Sequence, residues 1–227
     1  IPILGINHLE AHIYANFLAD PTLTYPFVCL LVSGGHTQLW LVKEMADYEL
    51  LGETRDDAAG EAFDKGARIL GLDYPGGPAI EKMAHNGDCK AIDFPRAFYK
   101  DELLEFSFSG LKTSLLYFME KKDESLVLAD VAASYQKAIL DVLVDKLVMA
   151  IKRKNVKTCV IAGGVAANNE LRSIIKKTIS DEISVKYPES ALCTDNAAMI
   201  AYLSELYMKK GFTSPIEFDV FPNLKIV

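Results

Sequence analysis

Short apolar runs closed by turn residues alternate along this chain with stretches whose apolar residues recur every three or four positions. Ile1–Ile6 predicts a short buried strand, and His8–Leu18 a helix that stops before Asp20-Pro21. Phe27–Val32 and Gln38–Val42 predict a hairpin around Ser33-Gly34-Gly35-His36-Thr37, and Tyr48–Gly52 continues the sheet. Helical spacing returns over Asp57–Leu70 and ends at Gly71, a C′ glycine. Tyr74–Pro78 reads as a loop before a short helix, Ala79–His85, and residues 87–108 carry no strong period. Ser109 is placed to cap a helix through Glu120, and Val127–Arg153 is the longest periodic stretch, with Lys146 the one exception on its apolar stripe. Strand Thr158–Ala162, the Gly163-Gly164 turn, helix Asn169–Ile179, strand Ser184–Tyr187 and helix Asp195–Lys209, ended by Gly211, complete the pattern. Hairpins followed by strand–helix–strand units predict an α/β fold with a mixed sheet.

Composition narrows the class. The 227 residues are 50% hydrophobic and 24% charged, enough to build a substantial core. No apolar run approaches the roughly 18 residues that a membrane span needs. The opening residues lack a basic region and a cleavage site, so no signal peptide is expected, and the missing Met suggests a start within a fold. Cys29, Cys89, Cys159 and Cys193 show no paired spacing, which argues against a disulfide framework and for a cytoplasmic, reducing compartment. The net charge of −7 argues mildly against a nucleic-acid partner. The lysine pairs at 121–122, 176–177 and 209–210 read as solvated helix faces.

His8 and His12 stand one helical turn apart, so both imidazoles leave the same face and can hold a transition metal. Spacing alone fits two unrelated histidines equally well. A protease of the HExxH type is excluded in detail, because Glu10 lies about 200° around the helix from His8. Asp195, at the start of an apolar helix, is the candidate third ligand; the competing reading is a helix N-cap. The glycine pairs at 34–35 and 163–164 expose backbone amides at a hairpin and at a strand-to-helix turn. Two such turns are what a nucleotide cleft needs, and structural glycines are the alternative for each.

Seven motifs then occur in order: His8-x-x-x-His12, Val32-Ser-Gly-Gly-His-Thr37, Gly60-Glu-Ala-Phe-Asp-Lys65, Leu72-Asp-Tyr-Pro-Gly-Gly-Pro78, Phe106-Ser-Phe-Ser-Gly-Leu-Lys-Thr113, Gly163-Gly-Val-Ala-Ala-Asn168 and Cys193-Thr-Asp-Asn-Ala197. Together they closely resemble the TsaD family, which makes threonylcarbamoyladenosine in tRNA. The resemblance implies an actin-like ATPase (ASKHA) fold divided as the end of a first lobe with the metal helix (1–27), a nucleotide-binding lobe (28–194) with a helical insertion near 57–126, and a returning helix and tail (195–227). It implies one Fe(2+) or Zn(2+) on His8, His12 and Asp195. It implies that Val32, Ser33, Gly34, Gly35 and His36 meet the phosphate or carbamoyl region, that Asp64 and Gly77, with Glu81, hold the ribose, and that Asn168 holds the adenine end. Lys112 is either a phosphate- or tRNA-steering residue or a solvated lysine.

The implied reaction passes threonylcarbamoyl from threonylcarbamoyl-AMP to N6 of adenosine 37 in tRNAs reading codons that begin with A. ATP or ADP with Mg(2+) is a further candidate ligand, and TsaB, the ATPase TsaE and tRNA are the implied partners, with no membrane. The family's opening segment, with its Asp-Thr-Ser-Cys-Asp-type motif, is not among these residues. The expectation is that the first lobe is incomplete here, that a separate chain can supply it, and that residues 1–227 alone are inactive. The rival readings are a non-catalytic nucleotide-binding scaffold and, more remotely, a metalloprotease.

Overall fold

A computed structural model describes residues 2–121, 125–217, 219–221 and 224–226. Its centre is a five-stranded mixed sheet in the order β3-β2-β1-β4-β5. Strands β1 (Phe27–Val32), β2 (Thr37–Glu44) and β3 (Asp47–Glu53) form an antiparallel meander, whereas β4 (Thr158–Ala162) joins β1 in parallel and β5 (Ser184–Lys186) joins β4 in parallel. Every residue of β1 is buried, as a central strand covered on both faces requires.

Side-chain alternation divides the core in two. Val28, Leu30, Leu39, Leu41, Cys159 and Ile161 face the larger cluster, covered by α2 (Ala59–Ile69) and the long α5 (Leu128–Lys154). Phe27, Cys29, Leu31, Trp40, Val42, Val160 and Ala162 face the smaller one, covered by α1 (His8–Ala19) and α8 (Ala197–Lys209). The histidines of α1 and Asp195, just before α8, therefore lie on one face of the sheet and the glycine turns at its strand ends.

Between these elements run α3 (Gly76–Ala84), α4 (Ser109–Glu120), a 3-10 turn over Gly164–Ala167, α6 (Asn169–Thr178) and the one-turn α7 (Ser190–Cys193). The expected irregular stretch before α4 is irregular, touching the sheet by one bridge between Thr54 and Phe106. No helix among the described residues is long and apolar enough to cross a membrane.

Several expected elements are corrected. Residues 2–6 form no buried strand; Ile3 makes a single bridge to Ser214, Pro2 has no N–H to donate, and Ile1 lies outside the described residues. Helix α3 starts at Gly76 rather than Ala79, because the first turn needs no proline N–H and Asp64 Oδ1 accepts the Gly76 N–H at 2.8 Å. Ser109 does not cap α4; its hydroxyl donates to Asp56 Oδ2 at 2.8 Å. Helix α2 begins at Ala59, whose N–H is accepted by Thr37 Oγ1 at 2.8 Å, a cap lent by the neighbouring strand. Lys121, Lys176, Lys177, Lys209 and Lys210 are exposed as expected, and Lys122 lies outside the described residues.

Candidate metal centre and ligand cavity

Asn7 caps α1, its Oδ1 accepting from Leu9 N and Glu10 N at 3.0 and 3.1 Å. Its amide nitrogen donates to the carbonyls of Leu224 and Lys225, which pins the C-terminal segment to the helix start. His8 is then the first helical residue, half exposed, and His12 lies one turn on, only 2% exposed. Asp195 is not an N-cap, because Asn196 fills that position and accepts from Met199 N at 2.9 Å. The Asp195 side chain, 81% exposed, is left to face the histidines.

Its Oδ1 stands 3.1 Å from His8 Nε2 and 3.2 Å from His12 Nε2. All three donor atoms lie within 4.8 Å of one another. Two imidazole nitrogens and one carboxylate oxygen aimed at a common point are a donor set that fits Fe(II) or Zn(II) and leaves coordination positions for a ligand. Burial, and then the neighbouring His8, lower the His12 pKa below the usual histidine value, so its ring is neutral and offers a lone pair. Glu10 points the other way, buried against Tyr48 and Tyr207, and cannot act as a base at this centre.

A cavity of about 420 Å³ opens beside the triad, lined by Gly34, Asp64, Gly77, Glu81 and Asn168 among others. Five residues expected to meet a nucleotide are thus brought together from four segments, with Gly77 and Glu81 both on α3. Thr194, next to Asp195, lines the same cavity and connects it to the triad. Nothing stands within 4 Å of where a Cβ would lie on Gly34 or Gly77, so both present bare backbone to this space. Gly163 is required for another reason: its φ is +88°, and a Cβ there would stand 2.3 Å from the Val32 carbonyl oxygen.

Other expected contacts are redirected. Val32 is wholly buried in β1 and does not line the cavity, since a central strand residue points into the core. Ser33, Gly35 and His36 are also outside the lining; Ser33 Oγ accepts the His36 N–H at 3.2 Å and is spent on the turn. The His36 ring is held below the usual histidine pKa by burial and then by the field of His8. Asn168 caps α6 through Leu171 N at 2.8 Å and donates to Gln136 Oε1 at 3.0 Å, so its amide is already engaged. Glu81 Oε1 accepts from the Asn169 backbone and side chain at 2.8 and 3.0 Å. Gly164, from the second glycine pair, lines the cavity as expected, whereas sequence reasoning missed Tyr74, Ser190 and Thr194. Only Thr194 carried a signal, its place beside Asp195.

The family model for TsaD, tRNA N6-adenosine threonylcarbamoyltransferase, matches residues 1–202. The chain belongs to the TsaD family. Two relatives described as tRNA N6-adenosine threonylcarbamoyltransferase, from Clostridium novyi and Clostridium kluyveri, are each 50% identical over 230 residues, covering 99% of this chain and 67% of the relative. A third of that description, from Clostridium botulinum, is 48% identical over 229 residues, with the same coverage. The chain thus spans about two thirds of the length of these TsaD relatives. Among solved structures, HypF from T. kodakarensis superposes with a TM-score of 0.68 at 18% identity, over 92% of this chain and 37% of that one. The activator of 2-hydroxyisocaproyl-CoA dehydratase from Clostridium difficile gives 0.53 at 15% identity, over 93% and 72%. At these identities the likeness is one of fold, and it gives this TsaD chain the actin-like ATPase architecture.

Proposed function

We propose that this protein transfers a threonylcarbamoyl group to N6 of adenosine in tRNA, taking it from threonylcarbamoyl-AMP and acting on adenosine 37 of tRNAs that read codons beginning with A. The observation that carries this reading is the meeting of two histidine nitrogens and a carboxylate at the edge of a cavity walled by bare glycine backbone. His8, His12 and Asp195 would hold one Fe(II) or Zn(II). When bound, such an ion polarises the acyl oxygen of the threonylcarbamoyl group and stabilises the charge that develops there.

The chain's own residues supply position. Gly34 and Gly77 let the adenylate approach the backbone, and the open turn before α6 favours its anionic part. Asp64 keeps its Oδ1 on Gly76 N, which leaves the second oxygen for a ribose hydroxyl. Asn168 shapes the adenine end through its place in the wall while its amide holds α6. His36, whose ring burial keeps neutral, is assigned to the carbamoyl end of the substrate. AMP departs as an adequate leaving group, so no covalent enzyme intermediate is required.

The rest of the assignment follows the same reading: a cytoplasmic enzyme working with TsaB, the ATPase TsaE and tRNA, and able to take ATP or ADP with Mg(II). A composite surface accommodates an acidic chain of net charge −7, since partners contribute the basic contacts to tRNA. The test is incorporation of labelled threonine into tRNA from threonylcarbamoyl-AMP by the metal-loaded protein with its partners. Label at N6 that disappears in His12→Ala supports the reading. Absence of label in every combination, with metal and adenylate demonstrably bound, rejects it in favour of a non-catalytic nucleotide-binding scaffold.

A further inference from the structure

On the side of α1 opposite the histidines lies a buried carboxylate that the reaction does not use. Glu10 is 5% exposed. Its Oε1 accepts from the phenol of Tyr207, near the end of α8, at 2.5 Å, and from the phenol of Tyr48 on β3. Beside it, the hydroxyls of Tyr14 and Tyr25 are 2.8 Å apart. No cation pairs with Glu10 among the described residues. Burial, reinforced by the carboxylate, raises the phenol pKa of Tyr48 and of Tyr207, so both remain protonated donors.

The chain pays desolvation to bury this charge, and an apolar side chain would seal the same helix face without it. What an apolar residue could not do is fix a partner at a defined point. Helix α8 touches α1 on both sides: Asp195, just before it, faces His8 and His12, while Tyr207 reaches the far face at Glu10. An α-helix with its side chains is about 10–12 Å across, and thirteen residues of α8 span about 20 Å, so α8 straddles α1 and grips it from two sides.

We propose that Glu10 is a positioning residue for the metal centre: by accepting from Tyr207 behind the histidines, it sets α8, and with it Asp195, in register with His8 and His12. The inference rests on the reading of those three residues as metal ligands. The Tyr48 bond fixes Glu10 against the sheet, whereas the Tyr207 bond carries the register to Asp195.

The test is the Zn(II) affinity of the metal-free protein, measured by competition with a chromogenic chelator, alongside thermal unfolding. Tyr207→Phe and Glu10→Ala are expected to weaken Zn(II) binding roughly ten-fold or more, the usual effect of removing support behind a ligand. Glu10→Gln keeps an acceptor oxygen for the phenols and should bind close to wild type. Tyr48→Phe should lower the unfolding temperature and leave affinity unchanged. Wild-type affinity in both Tyr207→Phe and Glu10→Ala overturns the proposal, as do equal losses in Tyr48→Phe and Tyr207→Phe, which would make the cluster a general brace. A wild-type protein that binds no Zn(II), or a His12→Ala variant that binds it as well as wild type, removes the ligand reading itself and the inference with it.

Discussion

His12 Nε2 stands 3.2 Å from Asp195 Oδ1, although 183 positions of sequence separate the two residues. The same oxygen faces His8 Nε2 at 3.1 Å, so one carboxylate closes a triad that the helix opens. Elemental analysis of purified variants should show metal lost from His12→Ala and Asp195→Ala. His8→Ala, which removes a half-exposed ligand, should lower occupancy as well. Full occupancy in Asp195→Ala would take that residue out of the centre.

Asn168→Ala should damage both folding and binding. The side chain caps α6 and satisfies Gln136, so its loss should destabilise the protein by about 1–2 kcal/mol in urea denaturation. Adenylate affinity measured by calorimetry should fall too, because the α6 start forms part of the cavity wall. Unchanged stability would show that the cap is dispensable.

Acid should destabilise the metal-free protein. His12 and His36 both have folded-state pKa values lowered by burial first and by His8 next. The unfolded chain takes up protons at about pH 6.5, before the folded one does, so stability is complete above that value and falls as the pH drops below it. Denaturation midpoints between pH 7.5 and 5.5 should decline, and His12→Gln should flatten the decline. A midpoint that rises toward acid would contradict the burial of a neutral His12.

Alkylation in the native state should be confined to one thiol. Cys89 is exposed, while Cys29, Cys159 and Cys193 are buried. Burial pushes the Cys159 thiol up to about 12 and raises Cys29 and Cys193 as well. Mass spectrometry after iodoacetamide at pH 8 should show one adduct on the folded chain, at Cys89, and four on the unfolded chain. Rapid labelling of Cys193 would mean that the segment between β5 and α8 opens in solution.

Much of this protein was legible in its one-dimensional pattern. Short apolar runs closed by turn residues marked β1, β2 and β4, and helical spacing marked α2, α5, α6 and α8, because each element must bury one face or two wherever it sits. His8 and His12 were readable as a pair because a helix alone puts them one turn apart. The glycines at 34 and 163 were readable because backbone exposure and positive φ are local properties, whereas Gly77 came only with the family resemblance. Motif order carried the family. Tertiary structure decided which side chains are already spoken for. Asn168 and Glu81 carry the right chemistry for a ligand, yet their hydrogen bonds go to α5 and α6, and only the packing of α3, α5 and α6 makes that so. Lys146 breaks the apolar stripe of α5 and is nonetheless 0% exposed, because Asp101 folds over it from a distant loop to accept from Nζ at 3.0 and 3.1 Å. Thr37 caps a helix it does not belong to, and Asp195 escapes capping because Asn196 does it instead. These assignments depend on distances between segments far apart in the chain, and such distances are set by the burial of two apolar clusters on either side of one sheet, which no local pattern encodes.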